Sequence, residues 1–168
     1  MAAQPTIASD SSYAFDGIGQ YLKCTAFTLN QPETVYILGQ QVSWTANDHI
    51  CDGNTANSGA IAQTNTTPEL SLNAGSATAS NTGLAAGVYG VVVAVFNGAS
   101  SILQVNNTTT ATGNAGAGNM GGFTLGATAN ATQFGNIQVK EVIVFADAHD
   151  ATTRGRVYSY LKKVGNLP

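Results

Sequence analysis

The chain is 168 residues long, carries a net charge of −3 and is only 9% charged, against roughly 25% in an ordinary globular domain. That length fits one domain with a single core. Residues 1–139 hold one lysine against six acids, so no basic surface is available to neutralise phosphates, which argues against nucleic-acid binding.

The N-terminus has neither a basic nor an apolar leader segment, so no signal peptide is expected, and residues 1–11 read as an arm ahead of one domain over 12–168. Ser12–Phe15 and Gln20–Lys23 read as strands flanking the turn signal Asp16-Gly17-Ile18-Gly19. Thr34–Gln41 is an apolar run of β-formers. Asp48–Asp52, Gly59–Thr64 and Glu69–Asn73 are shorter, and the leucines of Glu69–Asn73 alternate with polar residues.

From Leu70 to Val139 no Asp, Glu, Lys or Arg occurs. Val88–Asn97 within that run is too apolar for disorder and too short to span a bilayer. What remains is a β-rich shell solvated by hydroxyls and amides. Val88–Asn97 should be a central strand covered on both faces, and Asn97-Gly98 should turn it into a hairpin with Ser101–Val105. Residues 106–122 read as a low-complexity loop and Phe123–Gly126 as a short strand.

Asn136–Ala146 reads as a long strand with Ile137, Val139, Ile143 and Phe145 on one face and Val142 and Val144 on the other. A helix over about 150–164 follows, capped by Asp150, with Val157, Leu161 and Val164 at helical spacing and Gly165 beyond its end. Roughly ten strands with one short helix indicate an all-β, antiparallel sandwich.

Three stretches in order carry a resemblance. They are Tyr13-Ala14-Phe15-Asp16-Gly17-Ile18-Gly19-Gln20-Tyr21-Leu22, the hairpin from Val91 to Val105, and Phe123-Thr124-Leu125-Gly126 with Phe134 to Phe145. Together they resemble the laminin-G-like jelly roll of the concanavalin A-like lectin/glucanase superfamily, of the kind found in phage structural proteins. The "Y-V-D-G" usual in that hairpin is replaced by Val105-Asn106-Asn107. The resemblance implies a jelly roll and says little about a ligand.

Catalysis by the glucanase route is not expected. Its acids alternate along one strand, whereas Glu33, Glu69 and Glu141 have no acidic partner two residues away. Glu141 reads as a structural carboxylate holding a loop or the terminal segment. No Gly-x-Ser-x-Gly elbow or phosphate-binding glycine loop occurs.

In Asn47–Asn54, residues 48, 50 and 52 would share a strand face. No cofactor or metal site is expected, Ca²⁺ being the one cation that oxygens of Asp48, Asp52 and Asn54 would suit. Cys24 and Cys51 read as two buried thiols, with one bridge as the alternative. Tyr36 and Tyr89 should be buried with partnered hydroxyls.

The composition suits an exterior protein, and together with the resemblance it implies a non-enzymatic structural protein of a virion exterior, made in a host cytoplasm. It would decorate or cement a phage capsid or form part of a tail fibre, packing by surface complementarity against capsid or tail neighbours, and a homotrimer would suit either role. The alternative is a lectin-like module that binds a cell-surface glycan through Trp44, Asp48, Asp52 and Asn54.

Overall fold

The computed structural model describes residues 4–168, the side chains of residues 78 and 79 excepted. In chain order the strands are β1 (Thr6–Ile7), β2 (Tyr13–Asp16), β3 (Leu22–Lys23), β4 (Glu33–Gln41), β5 (His49–Asp52), β6 (Ala60–Gln63) and β7 (Leu70–Asn73). Then come β8 (Ala77–Asn81), β9 (Gly90–Phe96), β10 (Ser101–Val105), β11 (Ala111–Gly113), β12 (Thr124–Leu125), β13 (Asn136–Phe145) and the helix α1 (Ala151–Val164). They form a seven-stranded sheet, ordered β1-β2-β13-β4-β9-β10-β11, and a six-stranded sheet, ordered β3-β12-β5-β6-β7-β8. The named strand pairs are all antiparallel. The expected antiparallel sandwich with one C-terminal helix is what the chain adopts.

Alternation along the central strands builds two apolar layers. Val35 and Ile37 of β4 and Val92, Ala94 and Phe96 of β9 face the six-stranded sheet, meeting Ile50, Ile61, Leu70 and Leu72 in the main core. Tyr36, Leu38, Val91 and Val93 face the other way and are covered by Leu161, Val157 and Tyr158 of α1. β9 is therefore covered on both faces. The Asp150 carboxylate accepts from the Thr153 amide at 2.8 Å and caps α1. Arg154, buried in that helix, donates to the His149 carbonyl and to Gln104 Oε1. Tyr36 is fully buried and its Oη lies 2.8 Å from His149 Nδ1; burial pushes its phenol up to about 12. Tyr89 is half-buried and donates to Gln138 Oε1. Tyr160 Oη donates to Glu141 Oε1, so that carboxylate does hold the terminal segment.

Several local expectations change. The Asn97-Gly98 hairpin forms, but through a 3-10 turn over Gly98–Ser100 rather than a two-residue turn. In β13 the register slips between Val139 and Glu141. One extra residue reverses the faces, so Ile137, Val139, Val142 and Val144 all meet the main core and Ile143 faces α1.

Of the expected arm, residues 1–3 lie outside the described residues, and Thr6–Ile7 pairs with β2 at the sheet edge. The stretch over 106–122 contains β11, paired with β10. Both cysteines are free; Cys51 is buried, but Cys24 is exposed because it follows the edge strand β3. Among the described residues no helix is long and apolar enough to cross a membrane.

Candidate functional site

The outer face of the six-stranded sheet has no helix over it among the described residues, α1 packing on the other sheet, and it carries a groove of about 410 Å³. Strand register explains the groove. His49 pairs with Ala62, Ala62 with Ser71, and Ser71 with Ser80, so one cross-strand row runs over β5, β6, β7 and β8. Residues directly opposite across antiparallel strands share a face, and three of these four are small, which leaves a trough. Its sides come from Asn47, Asn57, Thr64, Asn65, Asn73 and Gln133. Every polar group along it is an amide, a hydroxyl or an imidazole, and no carboxylate or cation is among the lining residues.

His49 is 4% exposed. Its Nδ1 lies 2.9 Å from the Asn47 carbonyl oxygen, which can only accept, so Nδ1 donates to it. Nε2 is buried and has no hydrogen-bond partner among the described residues. Gln63 fixes the neighbouring corner: its Oε1 accepts from the Thr45 amide at 2.8 Å and its Nε2 donates to the Ser43 carbonyl.

Asp52 organises the walls without lining the groove. It is fully buried, and its carboxylate accepts four backbone amides: Gly53 at 2.8 Å and Ser58 at 3.3 Å on Oδ1, Asn57 at 3.1 Å and Ala129 at 3.0 Å on Oδ2. The first three close the turn that presents Asn57, a left-handed residue with φ 58°. The fourth pins the segment that carries Gln133. That segment is further closed on itself by Thr128 and Thr132, whose Oγ1 atoms are 2.8 Å apart. Gly135 lies so close to the His49 carbonyl that a Cβ there would collide with it.

The residues expected to form a glycan surface are therefore distributed differently. Trp44 is half-buried, with its Nε1 buried and without a hydrogen-bond partner among the described residues, and does not line the groove. Asp48 is half-buried, and burial raises its carboxyl above the usual carboxylate range. Asn54 contributes main chain, its carbonyl accepting from Lys23 Nζ and its amide donating to Met120.

A register slip between His49 and Cys51 also breaks the face that residues 48, 50 and 52 were expected to share. Ile50 and Cys51 both enter the main core, and burial pushes the Cys51 thiol up. Ca²⁺ does not fit this cluster. A carboxylate whose oxygens already face four N–H groups offers a cation hydrogens where it needs lone pairs, and no group of three or more His, Cys, Asp or Glu is gathered among the described residues. The groove itself has no signal in the linear sequence beyond the small residues Ala62, Ser71 and Ser80, which only strand register brings together.

No protein-family model matches the chain, and no curated protein matches its sequence. Solved structures do share its fold. A GH54 α-L-arabinofuranosidase soaked with 4-nitrophenyl α-L-arabinofuranoside superimposes with a TM-score of 0.70 at 11% identity, over 90% of this chain and 40% of that one. A Trypanosoma rangeli sialidase in complex with the inhibitor DANA gives 0.67 at 9% identity, over 94% of this chain and 28% of that one. A receptor-binding domain gives 0.64 at 14% identity, over 94% of this chain and 44% of that one. This chain thus spans less than half the length of these proteins, and the likeness to them is one of fold, a β-sandwich jelly roll.

Proposed function

We propose that the protein is a lectin-like binding module, and that the groove over β5 to β8 is its glycan surface. One observation carries this reading: an uncovered trough lined by side-chain amides and hydroxyls, with small residues on its floor. Such groups match the alternating donors and acceptors of sugar hydroxyls, and a concave, largely pre-formed site is what a small ligand needs. Binding without turnover fits the placement of the acids. Glycoside cleavage needs two carboxyl groups roughly 5–10 Å apart across the sugar, whereas Asp52 is saturated by amides, Glu33 is sealed inside the sandwich, and no acid lines the groove. Fold neighbours that are sialidases and arabinofuranosidases lend sugar binding some support by analogy alone.

The test is a glycan array followed by titration calorimetry with Ser71→Phe, which fills the floor, and Trp44→Ala beside it. Loss of binding in Ser71→Phe with retention in Trp44→Ala supports the groove. The opposite pattern moves the glycan site to the surface around Trp44 and Asp48.

A second reading makes the protein an exterior virion component that packs against capsid or tail neighbours. It draws on the β1–β2 edge, where the paired residues Ile7 and Tyr13 are 63% and 46% exposed, apolar surface that a neighbouring subunit would cover. Light scattering of the purified chain tests it. A stable trimer that becomes monomeric on Ile7→Asp supports that reading, and a monomer at all concentrations argues against the symmetric fibre.

A further inference from the structure

The sign and position of the charges specify the kind of sugar. The groove lining contains no Asp, Glu, Lys or Arg. The acids closest to it in the chain are Asp48, which lies between the lining residues Asn47 and His49, and Glu69, whose Oε2 is 3.5 Å from the hydroxyl of the lining residue Thr64.

The cations are elsewhere. Lys140 sits on β13 of the other sheet, where its Nζ lies 3.3 Å from Asp10. Arg154, Arg156, Lys162 and Lys163 belong to α1, which packs on the outer face of that sheet, across the sandwich from the groove. Lys23 is held by two carbonyls, donating to Asn54 at 3.1 Å and Ala129 at 2.9 Å. His49 turns Nδ1 to the Asn47 carbonyl at 2.9 Å and keeps Nε2 buried, so neither ring nitrogen is offered to the open trough.

We infer that the groove selects uncharged glycans, sugars presenting hydroxyl and acetamido groups, and rejects sialylated, uronic or sulfated ones. The inference rests on the groove being the glycan surface. A carboxylate or sulfate entering the trough would lose water beside Asp48 and Glu69, with no Lys or Arg in the lining to offset the desolvation. A neutral sugar loses only hydrogen bonds to water that the amides and hydroxyls replace.

Affinity electrophoresis of the purified chain at low salt tests this, with gels containing dextran, galactomannan or soluble chitin on one side and polysialic acid, hyaluronate or heparin on the other. The expected result is retardation by at least one neutral polymer and none by the anionic ones, with an apparent affinity ratio of about tenfold or more. Ser71→Phe should abolish the neutral retardation. Ser80→Lys, which places a cation on the exposed end of the floor row, should gain retardation by an anionic polymer. Retardation of the wild-type chain by anionic polymers that Ser71→Phe removes overturns the selectivity and leaves the groove standing. Retardation by no polymer overturns the groove reading and this inference with it.

Discussion

Glu33 and Asp52 are buried carboxylates with opposite surroundings, and they should respond oppositely to change. Both oxygens of Glu33 are buried, and burial pushes its carboxyl from 4.5 up to about 7, outweighing a backbone contact from Met120 that acts the other way. The folded chain therefore holds that proton more tightly than the unfolded chain. Below 4.5 both states are protonated and nothing is lost. Between 4.5 and 7 stability falls as pH rises, and above 7 the full cost remains, about 3 kcal/mol. Glu33→Gln should flatten that part of the profile and melt later than wild type at about pH 8, with little difference near pH 4; urea melts at the two pH values read this directly. Asp52 is instead satisfied by four amides, and Asp52→Ala would leave them unpaired in a buried setting. The loss should be about 3 kcal/mol, and glycan affinity should fall as well, since both walls lose their anchor. For the same reason EDTA or added Ca²⁺ should leave the melting temperature unchanged, as differential scanning fluorimetry would report.

At the scale of elements, α1 is held by one cap and one buried stripe. Asp150→Ala should cost about 1 kcal/mol. Leu161→Ala, emptying a fully buried position between α1 and the sheet, should cost about 3 kcal/mol. Denaturant melts with near-ultraviolet circular dichroism of Tyr36 and Tyr158 would separate the two effects. The long strands and this helix are legible in sequence because their own side chains supply the burial. The β-branched residues of β9 and β13 and the i, i+4 spacing of Val157 and Leu161 need no partner to be recognised. β8 and β11 were not legible, because Ala, Thr, Ser, Asn and Gly carry little strand signal and pair only when a neighbouring strand supplies the template. The slips at Val139/Glu141 and His49/Cys51 were equally hidden, since alternation in a sequence cannot show where an extra residue is accommodated. They decide which side chains reach the core and place His49 rather than Asp48 in the groove lining.

Across the whole molecule the two faces of the sandwich differ in charge and cover. One carries the helix and its four cations, the other an uncovered trough with no Asp, Glu, Lys or Arg in its lining. Recognition through that trough should depend on shape and hydrogen bonds, so affinity for a neutral glycan should change less than about twofold between low and high salt, where screening lengths fall from roughly 30 Å to 3 Å. Most of the site is non-local, built from single residues on four strands. Composition therefore pointed to a polar, uncharged exterior but could not locate the trough. The most direct test is an amide-shift map of the labelled chain titrated with a neutral oligosaccharide that the array identifies. The account predicts shifts concentrated at His49, Ala62, Ser71, Ser80 and the walls at Asn57 and Gln133, with α1 silent. Shifts confined to the rim at Trp44 or to α1, with β5 to β8 unmoved, would contradict it.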